Sequence, residues 1–392
     1  MKPTRRVLLA IAVLLLSMAT VLLISWRQQT KTLSAALVTD IEATLARTIT
    51  RNPKLEAPKH ENGYACLSAV VDAGPGDLGP FELKNSDAYK EVMDAGVVPA
   101  AWQPELTRLA PFGASVLSCG DSAELKFAPG LTPFDQFGKK GERGSQVVLA
   151  VAKLTRLQIR LLALENQWDE VVDRCAATLE VAFDRSHLGL VSSMIASSQV
   201  RQLLPSCGEA LQHLGPSSRE RAVKRFGALP ARLAANHEYL DLERQVMSLE
   251  TNGWMIAEED RVRLPAGDHL LGDSLENPAL RFVLARTWHP TDRAMRALIA
   301  VADVPGAARA QASRELDEVN AGCLTEALTF SPSYEKFLVR SDETRVLLQL
   351  LVDLAEGGEK PLPTGVTRTA AGLEITDTKG ELLIIPVVAG PP

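Results

Sequence analysis

At 392 residues the chain is long enough for one large or two smaller domains, and its 46% hydrophobic and 23% charged content is near the average for globular proteins, so a sizeable core is expected. A formal net charge of −6 argues against a nucleic-acid partner, because binding that backbone takes a concentrated positive surface. The five tryptophans, Trp26, Trp102, Trp168, Trp254 and Trp288, are scattered and form no visible stacking platform for bases.

The N-terminus is the most informative segment. From Val7 to Ser25 the chain carries no charge, and about 20 apolar residues in a helix match the hydrocarbon thickness of a bilayer. A cleaved secretory signal has a shorter apolar region followed closely by small residues; here Trp26-Arg27-Gln28 follows, and Ser34 and Ala36 lie beyond Arg27 and Lys31. Residues 7–26 are therefore expected to be a retained single-pass transmembrane helix, a signal-anchor, with Trp26 in the interfacial aromatic belt. Lys2, Arg5 and Arg6 in the basic stub 1–6 keep the N-terminus cytoplasmic by the positive-inside rule, which places the C-terminal bulk on the extracytoplasmic side, periplasmic in a bacterium.

Beyond the span the dominant period is helical. Leu33, Leu37, Ile41, Leu45 and Ile49 recur every four residues, which predicts an amphipathic helix within a juxtamembrane segment, 27–60, broken by Pro53 and Pro58. A mainly α-helical domain is expected over 61–360. Its first helix contains Cys66. The clearest one starts at Ser145, after the polar loop FGKKGERG, with Val147, Val151, Leu154, Leu157, Leu161 and Leu164 on one stripe. Asn166 and Gln167 interrupt that pattern, and Val172, Cys175, Leu179 and Phe183 continue it on a second helix, making an αα-hairpin.

Capping chemistry marks later boundaries. Gly215-Pro216 ends one helix, and Ser217 with Glu220 reads as a capping box for the next. Pro290 and Thr291 open a helix closed by Pro305. Further helices are expected over Ala307–Val319 and Pro332–Glu356. In the tail, 361–392, Leu373 and Ile375 face Leu383 and Ile385 across Asp377-Thr378-Lys379-Gly380, which predicts a small C-terminal β-hairpin packed on a helix.

Five cysteines are present, Cys66, Cys119, Cys175, Cys207 and Cys323, with no Cys-x-x-Cys pair for metal or redox work. Cys66 and Cys119 form a possible disulfide. For Cys175 and Cys207 a simple hairpin turning near Asp184 to Ser186 puts the first about 15 Å and the second over about 30 Å from the turn, so they are expected to miss each other.

Several motif-like strings fail on context. Gly74-Pro-Gly76-Asp-Leu-Gly79 lacks the strand and helix of a dinucleotide site. His237-Glu238-Tyr239-Leu240-Asp241 lacks the second histidine of a zinc protease. Ser333-Tyr-Glu-Lys336 lacks the α/β surroundings of a penicillin-binding serine, despite Ser341-Asp342 and Thr378-Lys379-Gly380 nearby in sequence. No catalytic residue and no cofactor is assigned. The connection from Trp254 to Pro278 carries Glu258, Glu259, Asp260, Asp268, His269 and Asp273; of these Asp268, His269 and Asp273 are candidate cation ligands, although the irregular spacing suits a solvated acidic loop better.

The turn ENQWDEVVD is similar to the inter-helix turn of tetratricopeptide repeats, but Ile159 and Val171 stand where such repeats need small residues, and no second copy follows at their period. Over about residues 60 to 360, with the acid-and-Trp turn Trp168-Asp169-Glu170, the chain resembles poorly characterised bacterial membrane-anchored proteins built of helical hairpins. That resemblance implies architecture and no defined activity. Two function classes follow as expectations: a non-enzymatic envelope protein whose helical scaffold binds another protein, or, as the alternative, a membrane-tethered hydrolase with a site assembled from residues distant in sequence.

Overall fold

The computed structural model describes residues 3–50, 58–128, 131–135, 139–252, 278–321, 334–357, 361–363, 365–369, 372–376, 380 and 382–386. It is mainly helical, with twelve helices and two small sheets among the described residues.

Helix α1 runs from Pro3 to Ala46 without a break, 44 residues, or about 66 Å at the α-helical rise. Its first half has no glycine or internal proline to interrupt it. Ser17 and Thr20 donate their hydroxyls to the Leu14 and Leu16 carbonyls, so the polar atoms inside the apolar stretch are satisfied within the helix, as a bilayer requires. The apolar side chains from Ile11 to Ile24 are exposed, and the helix is long and apolar enough to cross a membrane. Its last turns behave differently. Leu37, Val38 and Ile41 are buried against Phe134, Val246, Leu249 and Trp288, with Leu33 and Leu45 partly buried beside them. The predicted amphipathic face is therefore real, but it continues the apolar helix and enters the core. Ile49 is a correction: it leaves the helix for strand β1.

Strands β1 (Thr48–Thr50), β2 (His60–Asn62) and β3 (Ser122–Lys126) make a sheet of order β1-β3-β2, antiparallel on one side and parallel on the other. Helix α2 (Gly63–Ala73) packs on it; α3 (Ser86–Ala95) and α4 (Gln103–Ser118) follow, and the Cys66–Cys119 disulfide joins α2 to the residue after α4 with Cα atoms 5.5 Å apart.

The central hairpins are α5 (Lys139–Leu164), α6 (Trp168–Ser186) and α7 (Leu190–His213). Asn166 turns between α5 and α6 in the left-handed region, φ 57°, where asparagine is tolerated. Helix α5 begins at Lys139 rather than Ser145. Contacts outweigh the cost of about 1 kcal/mol for each early glycine: Arg143 donates to the Pro75 carbonyl, and Ser145 accepts from Arg185. A second correction is the Cys175–Cys207 disulfide, whose Cα atoms lie 6.0 Å apart. The turn lies at His187–Gly189, later than expected, with Gly189 at φ 115°.

Helix α8 (Pro216–Ala228) starts at a Gly215 cap that makes no side-chain bond, so the expected capping box is absent; the nearby Ser218 donates to Asp169 instead. After α9 (Asn236–Asn252), α10 spans Pro278–Val301 and runs through Pro290. That proline opens no helix, because buried Trp288 and Met295 hold the segment on either side. Helices α11 (Ala307–Ala321) and α12 (Tyr334–Glu356) follow the predicted pattern.

At the C-terminus β5 (Leu373–Thr376) pairs antiparallel with β6 (Leu382–Ile385), with Leu373 opposite Ile385 and Ile375 opposite Leu383. The unpredicted β4 (Val366–Arg368) adds a third antiparallel strand. The sheet belongs to the main core: Val366, Leu373, Ile375 and Ile385 cluster with residues of α6, α7, α8 and α12. Gly208 of α7 permits this approach, since a Cβ there would stand 2.6 Å from the Ile385 side chain.

Candidate functional site at the junction of anchor and domain

The last turns of α1 carry Asp40 and Thr44 next to the apolar stripe with Leu37 and Ile41, and Arg47 follows just past the helix end. Each is tied to α9. Asp40 accepts from Arg244 at 2.7 Å and from Arg296 of α10 at 3.1 Å. Thr44 donates to Gln245 at 3.0 Å, and Arg47 donates to Glu238.

Arg244 is the hub of this junction. Its side chain is 3% exposed and also donates to Asp241 at 2.9 Å and to Asp292 at 3.0 Å. Burial alone would lower its pKa, but the carboxylates of Asp241, Asp40 and Asp292 overcome desolvation and raise it. A second hub sits nearly two turns earlier on α9. Glu238 receives Arg47 on one oxygen and His187 Nδ1 on the other, at 3.0 Å. The His187 Nε2 lies 3.0 Å from the Arg232 carbonyl. Both neighbours are acceptors, so the ring makes both bonds only with a proton on each nitrogen. Burial pushes the Glu238 carboxyl up, yet the His187 hydrogen bond and charge and the Arg47 cation win and hold it at about 2.

The polar network continues into the domain. Arg232 binds the Asp184 carboxylate at 3.1 Å, and Arg225 bridges Glu180 and Asp173, each at 3.0 Å. Tyr64 donates to the Asp184 carbonyl at 2.6 Å. A chain of ionic and hydrogen-bonded contacts thus runs from the end of α1 through α9 and into α6 and α8.

An open cleft of about 410 Å³ lies over this junction, lined by Asp40, Thr44, Arg47, Asp241 and Gln245 with small Ala43 and Ala46 between them. Its polar groups are of mixed sign and already bound to protein partners. The arrangement suits fastening the helix to the domain.

The sequence candidates fall elsewhere. Asp268, His269 and Asp273 lie outside the described residues. Among the described residues, no group of three or more histidine, cysteine or acidic side chains could hold a metal. Cys66 and Cys119 are joined in a disulfide. His237 and Asp241 do not form a ligand pair: His237 binds Asp303, and Asp241 binds Arg244 and Gln245. Ser333 lies outside the described residues, and Ser341 donates to Asn236. Gly79 begins a short 3-10 turn rather than a phosphate loop between strand and helix. The junction itself was missed because Asp40 and Arg244 are 204 residues apart. A local signal existed, since Asp40, Thr44 and Arg47 repeat at helical spacing beside the apolar stripe. No family model matches the chain, and neither a curated protein nor a solved structure matches it.

Proposed function

We propose that the protein is a single-pass membrane-anchored envelope protein, with its N-terminus in the cytoplasm, whose helical domain is a scaffold presented to a protein partner at a fixed orientation on the far side of the membrane. The observation that carries this reading is the course of α1: its exposed apolar half suits lipid, and its second half is a core helix fastened by Asp40, Thr44 and Arg47. Such a joint transmits orientation, which a flexible linker would not. The Cys66–Cys119 and Cys175–Cys207 disulfides support an exported domain, because structural disulfides persist in oxidising compartments and are rare in the cytosol. Lys2, Arg5 and Arg6 support the same orientation.

The test is chemical crosslinking of the intact protein in its membrane, followed by mass-spectrometric identification of crosslinked peptides. A reproducible partner crosslinked to the α5–α8 hairpins supports the scaffold. Crosslinks only within the chain overturn it.

A further inference from the structure

A second site lies in the lobe formed by α2 to α5, away from the anchor junction. Two short 3-10 turns, Gly79–Phe81 and Leu83–Asn85, lead the chain into α3. Buried Phe81 pins this entry, stacking edge-on against Tyr89 and Trp102. Ser86, the first residue of α3, is thereby laid against the middle of α5 at Lys153. The Lys153 Nζ donates to Ser86 Oγ at 2.8 Å and to the Glu82 carbonyl at 3.1 Å, and it stands 5.5 Å from the centre of the Tyr89 ring. These partners are all neutral.

The charged groups around the lysine are engaged elsewhere. Glu82 turns its carboxylate to Lys84 and to the Leu78 amide. The Tyr89 hydroxyl donates to the Lys153 carbonyl, and the Arg156 guanidinium stands 6.0 Å from the same ring centre. An amine desolvated without a carboxylate partner gives up its proton more readily, and burial lowers the Lys153 pKa. Ser86 remains partly exposed, beside the exposed side chain of Leu83.

We propose that Ser86 and Lys153 form a serine–lysine dyad that cleaves an ester or amide, with Ser86 as nucleophile, Lys153 as general base and the acyl group lying over Leu83. The inference goes beyond the scaffold reading and does not depend on it. In this structure the Ser86 hydroxyl donates to the Leu83 carbonyl at 2.6 Å and accepts from Lys153; in the first half-reaction it turns to the deprotonated amine, and neutral Lys153 takes its proton as Oγ bonds to the substrate carbonyl carbon. The carbonyl π pair moves to oxygen, and the positive end of the ten-residue helix α3 favours that negative charge. Collapse of the intermediate breaks the bond to the leaving alcohol or amine, which takes the proton from the Lys153 ammonium. Water then attacks the acyl-serine with Lys153 again as base, releasing the acid and restoring the Ser86 hydroxyl. A positioned base of this kind is worth about 10²–10⁴-fold in rate.

The experiment treats the full-length membrane-embedded protein with a fluorophosphonate probe, which bonds through phosphorus to a nucleophilic serine with loss of fluoride, and maps the adduct by peptide mass spectrometry. One adduct on Ser86 is expected, forming faster as pH rises from about 7 to about 10 and absent from Ser86→Ala. The Lys153→Arg variant keeps the cation and its donors but cannot act as base, because arginine does not deprotonate in this range. It should label at least about 100-fold more slowly with an unchanged circular dichroism spectrum. No adduct, an adduct on another residue, a flat wild-type pH profile, or wild-type labelling in a folded Lys153→Arg variant overturns the dyad.

Discussion

Glu238 ties Arg47, the residue just past α1, to the domain, and its chemistry gives the junction a pH dependence. Its folded carboxyl is held at about 2 against an ordinary 4.5. A depressed acid contributes stability that is fully present above the unfolded pKa and is lost as pH falls through the folded one. The contribution, roughly 3 kcal/mol from that shift, is therefore in place above pH 4.5 and fades between 4.5 and 2. Urea unfolding of the wild-type protein and of Glu238→Gln checks this. The stability difference between them is expected to be largest near neutral pH and to shrink steadily below 4.5; a difference independent of pH would rule out the ionised carboxylate as its source. At the same scale Arg244 illustrates what sequence reading misses. A buried arginine needs several acceptors, and its three carboxylate partners lie on α1 and α10 as well as its own helix. Nothing local to Arg244 announces partners that distant.

At the scale of elements, helical periodicity was legible wherever a stripe faced the core. The hairpin α5–α6, helix α12 and the β5–β6 pairing all follow the apolar spacing. Short strands were not legible: β1 and β2 are three residues each, too short for the alternation that marks a strand, and their pairing with β3 is set by the surrounding tertiary structure. Proline was over-read as a boundary at Pro290, and Ser217 was over-read as a cap, because tertiary packing overrides both local signals. The Cys66–Cys119 pair was named from sequence, whereas Cys175–Cys207 was discounted from an oversimplified turn. Both bridges cross between helices of the cores, with sequence separations of 53 and 32, and bridges closing such loops contribute about 2–4 kcal/mol each. Thermal unfolding with and without reductant is expected to show a melting temperature lowered by at least several degrees on reduction, and Cys175→Ala/Cys207→Ala should account for part of that loss in the absence of reductant. An unchanged melting temperature with fully reduced thiols would contradict a structural role for the bridges.

On the scale of the whole molecule, the transmembrane candidate and the domain are one mechanical unit, because α1 is shared between them. Composition and the apolar N-terminal run made a helix able to cross a membrane and a helical domain readable from sequence, whereas the segment after it reads as a separate piece. The structure instead buries its apolar face and locks its polar face by three side chains, so the domain sits on a rod rather than a tether. The most direct test is a pulsed electron-spin distance measurement in lipid nanodiscs. Labels go at Gln28, exposed on α1, and at Lys224, whose side chain is 66% exposed on α8, in a Cys323→Ser background that keeps both disulfides. One narrow distance distribution is expected, broadening in Arg244→Met, where Asp40 and Asp292 lose their buried cation and keep only the half-exposed Arg296. A broad distribution in the otherwise wild-type protein would show a hinge between helix and domain and contradict the rigid anchor.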